Sequence, residues 1–146
     1  MGKNSEILLI DDNPQDNMLF RNFLLQNNYE ISLNVVQTYV DAIEHLFKIS
    51  SVGNHTIPRL IVLEITISNH KGLALLKSIK EHPDLKKIPL LILTKSENPE
   101  NVNNCYFQQA NAFIRKPKSK ERYLALIGTL LKFWMTSVSL PEYTWS

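Results

Sequence analysis

The sequence has one cysteine, Cys105, so no internal disulfide can form and the fold must be held by an apolar core. It has only 4 glycines, and none stands in a glycine-rich phosphate loop after the first apolar run. No hydrophobic run approaches the roughly 20 residues that a membrane helix needs. The longest, 124–131, is interrupted by Gly128 and Thr129. Excess charge of either sign is lacking too: the formal net charge is +2, and basic residues are not interleaved with aromatics on one face. A nucleic-acid surface is therefore not expected. The amino terminus shows no charged-then-apolar signal pattern, and the myristoylation motif begun by Met1-Gly2 fails because Glu6 stands where Ser or Thr is needed. These absences predict a soluble, cytoplasmic protein with no membrane or nucleic-acid partner.

What is present is ordinary for a globular chain of 146 residues, with 44% hydrophobic and 21% charged residues, and its length fits one domain. Apolar runs at 7–10, 60–63 and 88–93 read as strands buried on both faces. Tyr29 to Val36 alternates as a more exposed strand, and Ala112-Phe113-Ile114 is a short fifth one. Helical periodicity lies between them. Leu19, Phe20, Phe23 and Leu24 mark the first helix; Val40, Ile43, Leu46 and Phe47 the second; Leu73, Leu76 and Ile79 the third. A poorly apolar fourth helix starts at Asn98-Pro99-Glu100, with Val102 and Tyr106 or Phe107 inward. The last begins after Ser119 and carries Tyr123, Ile127, Leu130 or Leu131, and Trp134. Ser50 to Pro58 reads as a polar loop. Alternation of five strands with five helices predicts a doubly wound α/β domain over residues 1–136 with a five-stranded parallel sheet. A tail, 137–146, follows; its Leu140, Tyr143 and Trp145 suggest an interface.

In such a sheet, residues just past each strand's carboxyl end converge on one edge, where ligands bind. That edge gathers Asp11 and Asp12, Glu64, Thr94 and Lys116. The plain alternative for each acid is local: Asp12 or Asn13 caps the first helix, and Glu64 marks a strand end. Together the acids invite a hard cation, and a hydroxyl and an ammonium suit the oxygens of a phosphoryl group. His45, His55, His70 and His82 are scattered without ligand spacing.

This order (strand and Asp11-Asp12, strand and acid, strand and Thr94, strand and Lys116-Pro117) resembles the receiver domain of two-component response regulators. The separations from Glu64 to Thr94 and on to Lys116 fit the receiver pattern, and Phe113 falls at its aromatic switch position. The segments 57–63, 83–94 and 133–141 are similar to those of stand-alone regulators that partner phytochrome-type histidine kinases. The resemblance implies a flavodoxin-like (βα)5 three-layer sandwich with strand order 2-1-3-4-5. It implies a Mg²⁺ site from Asp11, Asp12, residue 64 and the Thr66 carbonyl, with Thr94 and Lys116 holding phosphoryl oxygens and Thr94 and Phe113 forming the switch. It also implies a histidine kinase as partner. The apolar clusters toward the carboxyl end point separately to a homodimer through the last helix or the face of the fourth helix, fifth strand and fifth helix.

The chain departs from that family at its centre. Glu64 stands where a receiver has its phosphoaccepting aspartate, Ser68 replaces the usual proline, and Lys71-Gly72 stands where Asp-Gly is common. An extra methylene displaces the carboxylate by roughly 1.5 Å, and in-line transfer loses on the order of a hundredfold for about 1 Å of misplacement. The expectation is a receiver that is not phosphorylated at Glu64 and acts by protein contact. Two alternatives remain: Mg²⁺-dependent phosphotransfer with Glu64 as a poor nucleophile, and a flavodoxin-like cofactor binder, which the missing glycine loop disfavours.

Overall fold

The computed structural model describes residues 6–52 and 57–141, with the side chains of 49–52 left aside. The chain alternates strand and helix: β1 (Glu6–Ile10), α1 (Pro14–Gln26), β2 (Ser32–Val36), α2 (Tyr39–Val52), β3 (Leu60–Leu63), α3 (Gly72–Glu81), β4 (Leu90–Thr94), α4 (Pro99–Phe107), β5 (Ala112–Arg115) and α5 (Lys120–Lys132). A 3-10 turn (Leu85–Lys87) precedes β4, and a π-helical turn (Phe133–Ser137) continues α5. The sheet is parallel throughout, in the order β2-β1-β3-β4-β5.

The unbroken apolar runs follow from burial on both faces. Because side chains alternate, Leu8, Ile10, Ile61, Leu63, Leu90 and Ile92 point to one side, against Ala42 and Leu46 of α2, Leu75, Leu76 and Ile79 of α3, and Cys105 of α4. Ile7, Leu9, Leu60, Val62, Leu91 and Leu93 point to the other, against Phe20 and Leu24 of α1 and Tyr123, Ile127 and Leu131 of α5. The two cores pin the register, since a one-residue slip would exchange them.

Helix starts carry their own signals. Asn13 Oδ1 accepts the N–H groups of Gln15 (3.1 Å) and Asp16 (3.0 Å), Asn98 Oδ1 that of Glu100, and Ser119 Oγ that of Arg122, which satisfies amide donors orphaned at each first turn.

Several expected boundaries and faces shift. β2 begins at Ser32 rather than Tyr29, and β4 at Leu90 rather than Ile88, because Ile88 N–H closes the 3-10 turn onto Leu85 C=O (3.0 Å) and Pro89 has no N–H for the ladder. α2 runs on to Val52, into what read as a polar loop; residues 53–56 of that loop lie outside the described residues. Val40 is exposed and Ala42 faces the core in its place, while Leu46 is buried and Ile43 and Phe47 pack partly against the same core, as the stripe predicts. On α4 the inward side chain is Cys105, while Tyr106 and Phe107 are exposed. Two aromatics drew the expected stripe around the short helix by one residue. At the end of α5, Trp134 is half-buried and Met135 buried. Leu140 packs partly against the second core, whereas Tyr143 and Trp145 lie outside the described residues.

Candidate functional site at the carboxyl edge of the sheet

The site is set by backbone bonds one residue beyond the strands. Asp11 N–H donates to Val36 C=O (3.0 Å), Glu64 N–H to Ile10 C=O (2.9 Å), and Lys116 N–H to Thr94 C=O (2.7 Å). Each functional residue therefore leaves its strand while still held by the neighbouring one. Asn17 of α1 adds a tie, donating from Nδ2 to Asp11 C=O (2.8 Å).

The side chains close into one cluster. Glu64, 1% exposed, has both oxygens engaged. Oε1 accepts from the Thr94 hydroxyl and from Thr66 N–H (3.3 Å); Oε2 accepts from Lys95 N–H (3.2 Å) and lies 3.4 Å from Lys116 Nζ. Thr94 Oγ1 in turn accepts Ser96 N–H (3.1 Å). Lys116 Nζ is the centre: 2.7 Å from Asp11 Oδ2 and 2.8 Å from Asp16 Oδ2, with its side chain only 4% exposed. The second Asp11 oxygen accepts Asn13 N–H (3.0 Å).

Burial by itself would lower the Lys116 pKa, but Asp11, Asp16 and Glu64 outweigh it and hold the ammonium above its usual range. Burial lifts the Asp11 carboxyl above its usual range, against the opposing pull of Lys116. Burial likewise raises the Tyr123 phenol, whose hydroxyl has no hydrogen-bond partner among the described residues.

Of the residues expected at the site, Asp11, Glu64, Thr94 and Lys116 come together. Asp12 is exposed beside them, with no side-chain bond among the described residues. The Thr66 carbonyl accepts His70 N–H (3.2 Å) within the β3–α3 turn. Phe113 is half-buried against the core on the α2–α4 side, and its N–H donates to the Tyr106 hydroxyl (3.1 Å). Sequence reading missed Asp16, because an acid in a first helical turn is already explained by the helix dipole. It also missed the backbone of Lys95, which carries no sequence signal.

The β3–α3 turn explains the unusual residues there. Ser68, Asn69 and His70 all adopt left-handed backbone (φ 47°, 60° and 66°), and Ser68 Oγ accepts the N–H of Tyr39 at the start of α2 (2.9 Å). Gly72 follows because a Cβ there would lie 2.3 Å from Ile65 Cα.

A divalent cation does not fit the set as arranged. Lys116 already bridges the buried carboxylates, both Asp11 oxygens are used, and no group of three or more His, Cys, Asp or Glu among the described residues could hold a metal ion. The ammonium offsets one of the three carboxylate charges it contacts.

A parallel sheet ordered 2-1-3-4-5, with acids, a threonine and a lysine gathered at its carboxyl edge, is the architecture of a receiver. Residues 7–128 match the Response regulator receiver domain family, and the chain belongs to it. It is similar to the response regulator Rcp1 of Synechocystis sp. (strain ATCC 27184 / PCC 6803 / Kazusa), with 28% identity over 135 residues that span 92% of each chain. Two solved structures overlay closely. The Mn(2+)-bound form of Rcp1 has a TM-score of 0.86 at 28% identity, over 94% of this chain and 99% of that one. The phosphorylated cyanobacterial phytochrome response regulator RcpA has a TM-score of 0.87 at 26% identity, over 94% and 98%. The chain is thus a receiver-domain response regulator related to phytochrome response regulators. Among the described residues no helix is long and apolar enough to cross a membrane.

Proposed function

We propose that this receiver, spanning 1–136 with 137–146 as a tail, signals by protein contact without accepting phosphate at Glu64. One observation carries the reading: the Glu64 carboxylate itself takes the Thr94 hydroxyl, the Lys95 and Thr66 amides and the Lys116 ammonium. A phosphoryl group attached at residue 64 would need those same donors. The carboxylate offers one negative charge where a phosphate offers roughly −1.5 to −2. It therefore acts as a standing, weaker occupant of the phosphoryl position, with Thr94 and Phe113 as the switch pair that reads it. Rcp1 has a Mn²⁺-bound form; in this chain Lys116 takes the charge-balancing place, and the ligand set Asp11, Asp12, Glu64 and Thr66 is idle.

The partner is a phytochrome-type histidine kinase, a reading supported by the relatedness to Rcp1 and RcpA. Exposed Met18 and Leu25 on α1 offer the contact, and Tyr106, Phe107 and Phe133 offer apolar surface for a homodimer on α5 or on α4, β5 and α5. Intact-mass measurement after incubation with acetyl phosphate and Mg²⁺ tests the proposal. The native chain is expected to keep its mass, while Glu64→Asp gains about 80 Da. A stable adduct on native Glu64 overturns the reading in favour of Mg²⁺-dependent phosphotransfer.

A further inference from the structure

Beside the Glu64 cluster lies a cavity of about 620 Å³ lined by Asp16, Lys95, Glu97, Arg115, Lys116, Pro117 and Lys118. Its charges do not cancel. Asp16 is taken by Lys116 at 2.8 Å, and Glu97 by Lys118 at 3.6 Å. Lys95 and Arg115 are left, both exposed and neither with a side-chain partner among the described residues. They stand at adjacent strand ends: Arg115 pairs in register with Thr94, the residue before Lys95. Both line the cavity beyond the strand ends, so two cations without a side-chain counter-charge among the described residues border one space, which an entering anion would stabilise. Arg115 brings a planar fork that matches phosphate oxygens bidentately, and Lys95 a point charge. The volume falls in the range of small-molecule sites, larger than a lone oxyanion requires.

We propose that this cavity reversibly binds a phosphate monoester dianion, held by Arg115 and Lys95 and never transferred to the protein. The site rests on the reading in which Glu64 stays unmodified: the oxyanion is held beside the cluster, while Glu64 keeps the donors inside it.

The test titrates the ¹⁵N-labelled full chain with inorganic phosphate and, separately, phenyl phosphate, at constant ionic strength with sodium chloride as the control. Saturable shifts confined to residues 95–97 and 115–118 are expected, with phenyl phosphate the tighter ligand. Arg115→Gln and Lys95→Gln should each weaken binding by about tenfold, with helical circular dichroism unchanged. Equal shifts with chloride, or titrations that both variants leave unaltered, overturn the site. Intact mass on the same samples, with and without acetyl phosphate, separates the two proposals. Reversible shifts together with a covalent adduct sink the unphosphorylated reading and, with it, the claim that the bound ester is never transferred, leaving only an anion-binding cavity; unchanged mass without saturable shifts sinks the cavity site and keeps the unphosphorylated reading.

Discussion

Lys116 Nζ lies 2.7 Å from Asp11 Oδ2, although the two residues are 105 positions apart in the chain. Their side chains are 4% and 1% exposed, so each charge depends on the other for compensation. Asp16 and Glu64 share the same ammonium, and one lysine thereby stabilises three carboxylates gathered from α1 and two strand ends.

Replacing Lys116 by Met leaves those carboxylates without their counter-charge. A loss of about 3–5 kcal/mol at pH 7 is expected, the range for breaking a buried pair from one side. In the variant, burial lifts the Asp11 carboxyl with no ammonium to oppose it, so the fold holds more protons than the unfolded chain in mild acid. Stability therefore recovers as pH falls toward 5, and urea denaturation across that range reads it. In the native chain the sign is the same, but the window is alkaline. The raised Lys116 pKa adds stability that is fully present below the ordinary lysine value of 10.5 and lost as pH rises through the folded value.

Gly72→Ala tests the β3–α3 turn. The new Cβ would lie 2.3 Å from Ile65 Cα and 2.4 Å from its carbonyl oxygen, both backbone atoms that cannot rotate away. Strain of about 3 kcal/mol or more is expected, seen as a fall in the urea midpoint with the m-value unchanged.

Lys80 Nζ reaches across three segments, donating to the Lys86 and Ile88 carbonyls (3.3 and 3.2 Å) and to Asn111 Oδ1 (3.1 Å). Burial pulls its pKa from 10.5 down to about 8. Between those values the unfolded chain holds a proton that the fold has released, so this residue's contribution to stability rises with pH across that window. Compared with Lys80→Met, the native chain should gain stability from pH 8 to 10.5. Paired denaturation curves showing no difference in slope would count against the assignment.

Cys105 is fully buried and its thiol is pushed up to about 11 by burial. The native protein at pH 8 is expected to resist a disulfide reagent over hours, and to react with one equivalent at once in denaturant. Fast reaction in the native state would mean that α4 is rotated toward the orientation its aromatics suggested.

Buried strands and capped helix starts are local properties, and they were legible in residues alone: continuous apolar runs at 7–10 and 60–63, and Asn13-Pro14, Asn98-Pro99 and Ser119 at three helix entries. Strand ends in a parallel sheet share one edge, so the meeting of Asp11, Glu64, Thr94 and Lys116 followed from topology once the strands were recognised. Faces of short helices were not legible. On α4, nine residues with few apolar side chains leave the stripe undefined, and packing against β4 and β5 decides that Cys105 turns inward.

The sequence by itself determined the parallel sheet, the polar kit at its edge and the departure at residue 64, because periodicity and residue type are written along the chain. Only the tertiary structure decided what the kit does with its charges: that Lys116 spans Asp11, Asp16 and Glu64, that Asp12 stays outside, and that Lys95 and Arg115 have no side-chain partner among the described residues. Those outcomes depend on distances of about 3 Å between residues far apart in sequence, and such distances exist only once the chain has closed on itself.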